Sequence, residues 1–277
     1  MLCLAGAFAA AAGAAGPADP LTKLPAPPWA RGGAIVGGGP VKLRLISSRP
    51  NAITDVGAWL DRNNLRLREE RVPGATYDVP LSAVPSGTPT RFLGARLVGS
   101  IRHREGQLLF YGRNFAEGRY LVARTGNATR YAFDFVNYAY APRARPGERE
   151  FVFQAPIWAV EAGGVLYVAH SHGSHARNSY GHNGYLTAID LATRRLLWRS
   201  RALVANAGTF EVVGNVIVSG YGYSDEPDYV YLLDRRTGAV RQRIFVPSAP
   251  EYLVRRGNTV FVRSYAHDVV LRLVPNS

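Results

Sequence analysis

YLTAIDLATRRLLWRS (Tyr185–Ser200) and YVYLLDRRTGAVRQRI (Tyr229–Ile244) carry the same pattern in different letters. Each is an apolar run ending in Asp, a tight turn containing Thr, and a second run in which basic and apolar residues alternate. Alternation at period two puts one side of a run in the core and the other in water, so each stretch reads as two strands joined by a turn. Asp190 and Asp234 lie 44 residues apart. A repeat of roughly 40–45 residues built from short antiparallel strands is the spacing of a propeller blade.

Outward from these turns, the unit that begins at Gln154 supplies QAPIWAVEAGG, VLYVAHS, YLTAID and RLLWRS. The next supplies TFEVVGN, VIVSGY, YVYLLD and AVRQRIFV. Each is a four-stranded meander. Upstream, GARLVGSIRHREGQ, LLFYGRN, RYLVAR and NATRYAFDF repeat the plan, and GGAIVGGGP, VKLRLIS, GAWLD and LRLREERV make a first unit. EYLVRR, TVFVRSY and DVVLRLV give three strands of a last one. The expected fold is all-β: a single β-propeller of four-stranded meander blades over residues 31–277. Five blades are counted (31–72, 94–135, 154–200, 206–246 and 249–277), with four or six as the alternatives, and 73–93 and 136–150 read as long connections. The last unit is one strand short, and a ring leaves edges unpaired unless one terminus completes the other's blade. The segment before Gly32 and the Pro-rich Pro73–Phe92 are the expected donors of that strand.

The first twenty residues, MLCLAGAFAAAAGAAGPADP, resemble the apolar core and small-residue cleavage region of a secretory signal peptide. Residues 1–20 are therefore expected to direct export to a bacterial periplasm or beyond, with cleavage around Ala10–Gly16 and a linker over 21–30. The only Cys is Cys3 and the only Met is Met1, so a cleaved chain carries no sulfur. That excludes disulfides, thiolate metal sites, covalent haem attachment and a cysteine nucleophile together. The net charge is +13, and lysine occurs only at Lys23 and Lys42, so nearly all the basic charge is arginine. The arginines are scattered, and those at alternate positions (Arg66, Arg68 and Arg71; Arg241 and Arg243) read as a solvated outer face. The expectation is a monomer that neither binds nucleic acid nor spans a membrane, with an envelope protein or an anionic envelope component as partner.

Ala188, Asp190, Thr193 and Trp198 form one copy of a turn pattern, with Arg194 where Gly is usual. Asp234, Thr237 and Gly238 form a second, with Gln242 in place of the Trp, and Thr125 and Gly126 a third, with Val122 in place of the Asp. This pattern resembles the repeat of the PQQ-like (quinoprotein dehydrogenase-like) β-propellers. Its physics is structural: Asp and Thr bond the turn amides, Gly permits positive φ, and Trp packs between blades. The resemblance implies a propeller and not a dehydrogenase. Quinone-dependent members are larger rings that hold the cofactor between a Trp floor and a disulfide of adjacent cysteines, beside a calcium ion and an Asp base. A chain of this length without a mature cysteine is not expected to bind PQQ. The smaller non-enzymatic members, exported scaffolds that bind proteins or ligands on one face of the ring, are the closer functional likeness.

In this strand order the loops joining second to third strands emerge on one face, at the mouth of the central channel. They are HSHGSHARNSYGHNG (His170–Gly184), GYGYSDEPDY (Gly220–Tyr229) and SYAHD (Ser264–Asp268), which together hold five of the six histidines. Loops over a rigid support are where ligand sites concentrate. Tyr180, Tyr221, Tyr223, Asp225, Asp228 and Tyr265 are the candidate ligand-binding residues. His170, His172, His175, His182, His267 and Asp268 are the candidate metal ligands, since imidazole with carboxylate suits a divalent transition metal. Catalytic residues are not identified: no Ser-His-Asp order carries an elbow, and Asp225, Glu226 and Asp228 share one loop rather than facing each other across a sugar. The expected function is an exported, non-enzymatic binding scaffold for a protein or small ligand. The alternative is a metal-binding protein or metal-dependent enzyme using His170–His182. As exposed loop residues, His170 and His172 are expected to be replaceable without loss of stability; the alternative is that they pack between blades, where their joint replacement by Ala would destabilise by about 2–4 kcal/mol.

Overall fold

The computed structural model describes residues 41–65, 71–72, 87–103, 106–113, 117–138 and 152–276. The expected signal peptide, the linker after it and most of the two long connections lie outside the described residues. Strands β4 (Ala95–His103), β5 (Gly106–Gly112), β6 (Gly118–Thr125) and β7 (Ala128–Asp134) form one antiparallel meander. The short β2 (Arg71–Val72) and β3 (Arg91–Phe92) pair along the free edge of β4. A second meander comprises β8 (Ala155–Ala162), β9 (Val165–Ser171), β10 (Tyr185–Asp190) and β11 (Arg195–Arg199). A third comprises β12 (Glu211–Val213), β13 (Val216–Tyr221), β14 (Tyr229–Asp234) and β15 (Val240–Phe245). The last contains β16 (Pro250–Arg256), β17 (Thr259–Ser264) and β18 (His267–Pro275). These successive four-stranded meanders are the blades of a propeller.

The fourth strand of the last sheet is β1 (Val41–Pro50), which runs antiparallel to β18 from Val41 opposite Pro275 to Pro50 opposite His267. Terminal completion is thus present, but its donor is neither of the segments expected from sequence. The unit expected over 31–72 is not a blade: the described residues form four sheets, and β1 belongs to the last of them. GAWLD, expected as a strand of that unit, lies in helix α1 (Val56–Arg62). The local reasons are legible afterwards. Asp55 caps the helix by accepting the Ala58 amide at 2.7 Å. Val56, Trp59 and Leu60 fall at helical spacing and pack with Leu65, Val254 and Phe261.

The repeated turns behave as their residues require. Asp190 accepts the Thr193 amide at 2.7 Å and its hydroxyl at 3.1 Å, and these bonds hold the carboxyl below its ordinary pKa. Asp234 accepts the amides of Arg236 and Thr237. Gly238 has φ +71°, and a Cβ there would meet the Trp198 ring at 2.5 Å. Trp198, only 1% exposed, lies against the next sheet's turn and donates to the Arg235 carbonyl at 3.0 Å. The Arg235 guanidinium returns across the seam to Tyr167 and to the Ala162 carbonyl. Where the next unit has Gln242 instead of Trp, the amide bonds both the N–H and the carbonyl of Leu43, at 2.7 and 2.8 Å. That position therefore ties sheet to sheet in both repeats, by packing in one and by hydrogen bonds to the closing strand in the other.

Candidate functional site

Strand direction alternates in a meander, so the β9–β10, β13–β14 and β17–β18 connections leave the same end of their sheets as the connections between sheets. Bonds between loops knit this end into one surface. Glu226 accepts the Ala176 amide at 2.5 Å, the Tyr223 hydroxyl donates to the Gly173 carbonyl, and the Tyr265 amide donates to Ala249 at 2.9 Å.

The 172–184 connection is an internally bonded plug. His170 sits on β9, fully buried, with its ring edge-on to Phe135 at 4.8 Å. Burial first, and the Arg199 guanidinium second, hold its pKa well below the ordinary histidine value. His172 is 4% exposed, and its Nε2 lies 2.6 Å from Ser179 Oγ. Ser179 donates its own proton to the Ala176 carbonyl, so it accepts from Nε2–H and fixes His172 as that neutral tautomer. Nδ1 then accepts from the Ser174 amide at 3.3 Å, and burial brings the pKa down to about 4. Asn183, fully buried, accepts the His172 amide at 2.9 Å and the Ser171 hydroxyl. A 3-10 turn over Ala176–Ser179 ends at Tyr180, which has φ +56° and is half exposed. The expectation that His170 and His172 are exposed is corrected: both belong to the packed interior, His170 because β9 runs through it and His172 because the connection folds over it and bonds it to Ser174 and Ser179.

The remaining histidines point to separate partners. His175 lies edge-on to Tyr223 at 4.6 Å, with Nδ1 3.8 Å from Glu226. His182 Nδ1 is 3.0 Å from the Tyr185 hydroxyl. His267 opens β18, and Asp268 pairs with the Arg263 guanidinium at 2.9 Å. Among the described residues no three His, Cys, Asp or Glu side chains are grouped as a metal ion requires.

The 222–228 connection is arranged differently. With Thr54, Asn206, Ser248, Glu251, Tyr252 and Tyr265 it lines a cleft of about 880 Å³ between the third and last sheets. Four of the candidate ligand-binding residues line it: Tyr223, Asp225, Asp228 and the 77% exposed Tyr265. Tyr221 lies outside this cleft, buried, and donates to Glu226 at 2.6 Å, while burial raises its hydroxyl pKa. Asp225 is held at φ +65°, which Asp tolerates better than most residues. Asp228 is tucked against Gly222, where any Cβ would collide with its carboxylate. Its Oδ1 is buried and accepts no hydrogen bond. Burial pushes the Asp228 pKa up to about 6, against the Tyr223 amide and with help from the negative charge of Glu226. Among the described residues no arginine or lysine forms an ion pair with Asp225, Asp228 or Glu251. Glu251 and Tyr252 escape sequence reading because they open strand β16 rather than standing in a polar loop.

No family model and no curated protein matches the chain. Solved structures that it resembles include BamB from Moraxella catarrhalis, at 12% identity and TM-score 0.35 over 61% of this chain and 56% of that one. A europium-containing methanol dehydrogenase follows, at 14% identity and TM-score 0.36 over 56% of this chain and 26% of the other. Sqt1 from Saccharomyces cerevisiae is 11% identical, with TM-score 0.37 over 61% and 47%. The chain thus spans little more than half the length of BamB and about a quarter of the dehydrogenase. The fold assignment rests on the sheets of the chain itself.

Proposed function

We propose that the chain is an exported, non-catalytic propeller scaffold that binds an envelope protein through the cleft at its loop face, taking up a basic segment of that partner. One observation carries this reading: Asp225, Asp228 and Glu251 line one cleft, and among the described residues no arginine or lysine pairs with them in a chain whose net charge is +13. Arginine is abundant enough to have neutralised them, as Arg263 neutralises Asp268 and Arg241 neutralises Asp234. A buried carboxylate oxygen without a partner is unfavourable until a cation arrives, so the cleft is built to gain from one. Tyr223, Tyr252 and Tyr265 also line the cleft, and aromatic rings there would add cation–π attraction to a Lys or Arg side chain. No helix among the described residues is long and apolar enough to cross a membrane.

The test uses a fluorescent peptide of alternating Lys and Gly, with a Glu-Gly peptide as control. The field of the whole protein repels the first and attracts the second, so only a local acidic site can reverse the preference. The Lys peptide is expected to bind saturably, and Asp225→Asn with Asp228→Asn to weaken it at least about tenfold, the cost of losing charged hydrogen bonds. Equal binding of the two peptides, or equal binding by the variant, would refute the reading.

A further inference from the structure

On the other side of the 222–228 connection lies a second cavity, about 570 Å³, at the seam between the second and third sheets. Its floor is apolar and aromatic, made by Ala176, Leu203, Tyr221, Tyr229 and Tyr231. Three arginines from three different segments stand around it: Arg177 on the 3-10 turn, Arg201 after β11 and Arg243 on β15. Two of the guanidiniums are held by ring faces, Arg243 over Tyr229 at 4.9 Å and Arg201 over Tyr231 at 5.8 Å. A ring orients a guanidinium but does not neutralise it; Arg201 also hydrogen-bonds the Tyr231 side chain, and a guanidinium has five N–H donors, so further donors remain for an acceptor. None of the three forms an ion pair with a carboxylate among the described residues. Of the carboxylates on this wall, Glu226 is engaged by Ala176 and Tyr221, and Asp225 stands on the rim common to both cavities.

We infer that this cavity binds an organic anion, a carboxylate or phosphate carried on a flat apolar body. The volume is within the range of small-molecule pockets, and the division of labour is the usual one, apolar floor for the body and a few polar groups for orientation. A guanidinium fork matches the two oxygens of a carboxylate or phosphate. The acidic cleft and this cavity have opposite chemistry, so the inference is independent of the reading that the first binds a basic segment.

Calorimetric titration of the full chain with 2-naphthoate, 1-naphthyl phosphate and neutral 2-naphthamide tests it. One or both anions are expected to bind with one-to-one saturation, at least about tenfold more tightly than the amide. The better of the two names the head group. Arg201→Gln with Arg243→Gln should abolish that preference while leaving the melting temperature in place, and Arg177→Gln alone provides a second variant should the pair fold poorly. Asp228→Asn, which alters only the acidic cleft, should leave anion binding unchanged. Equal affinity for the amide, undiminished anion binding by the arginine variants, or no saturation at millimolar concentration would each overturn the inference. The second of those outcomes would assign the binding to the diffuse positive charge of the chain.

Discussion

The connection 172–184 carries His172, His175, His182 and Asn183; the connection 222–228 carries Asp225, Glu226 and Asp228; both join a second to a third strand on the same face. In the first, the strongest polar groups turn inward. His172 and Asn183 are buried and bonded on both sides to Ser171, Ser174 and Ser179. In the second, Glu226 is bonded to Ala176 and Tyr221, while Asp225 and Asp228 line a cleft and pair with no arginine or lysine among the described residues. A polar residue with every hydrogen-bonding site engaged contributes to stability, and one left with an open site in a cleft contributes to binding. Density of polar residues in sequence does not distinguish the two.

The sharpest way to break this comparison is to remove imidazoles from the first loop. His170→Ala with His172→Ala is expected to destabilise by about 4 kcal/mol, as core truncations that also orphan hydrogen-bonding partners do. Urea denaturation reads it, and a change under about 0.5 kcal/mol would return both residues to the exposed surface. A second consequence is acid sensitivity. His172 has a folded pKa of about 4, below the unfolded value near 6.5, so its stabilisation is complete above pH 6.5 and disappears as pH falls toward 4. The loss is on the order of 3 kcal/mol over that window, read from melting curves between pH 7 and pH 4, and His170 adds to it in the same direction. A flat profile would mean that His172 titrates in solvent.

Smaller effects sharpen the boundary between the loops. Glu226→Gln replaces the carboxylate that joins them through Ala176 and Tyr221, and is expected to cost about 1–2 kcal/mol. It should also lower the Asp228 pKa by removing the neighbouring negative charge. Asp225→Asn with Asp228→Asn should leave the protein at least as stable near pH 7, because the raised Asp228 pKa means that its ionised form costs the fold stability and no ion pair among the described residues is lost. A large loss of stability in that pair would place these carboxylates with the histidines, as structural groups.

The blades were legible because Asp190, Thr193, Trp198 and their counterparts at Asp234, Thr237 and Gly238 act within a single turn, where sequence spacing is geometry. The closing strand was not, because nothing in VKLRLIS says whether its partner lies 40 residues or 220 residues away. Alternation specifies a strand but not its neighbour. Helix α1 was hidden by its shortness: Val56, Trp59 and Leu60 fall at helical spacing, but one seven-residue turn pattern carries little weight until Asp55 is read as a cap. At the loop face, Tyr223, Asp225, Asp228 and Tyr265 were identified as candidates and do line one cleft. The burial of His170 and His172 was not visible, because a strand can carry an imidazole inward whenever an aromatic neighbour such as Phe135 covers it.

The most direct measurement is the titration of Asp228 by carbon-13 NMR, with and without the Lys-Gly peptide, using Asp228→Asn to assign the resonance. In the free protein the carboxyl should titrate at about 6, because it is desolvated and unpaired. The peptide should bring that value down toward the ordinary carboxylate range and release protons when mixed near pH 6. A carboxyl that titrates near 4 in the free protein, unmoved by the peptide, would contradict the assignment of this cleft as a site built for a cation.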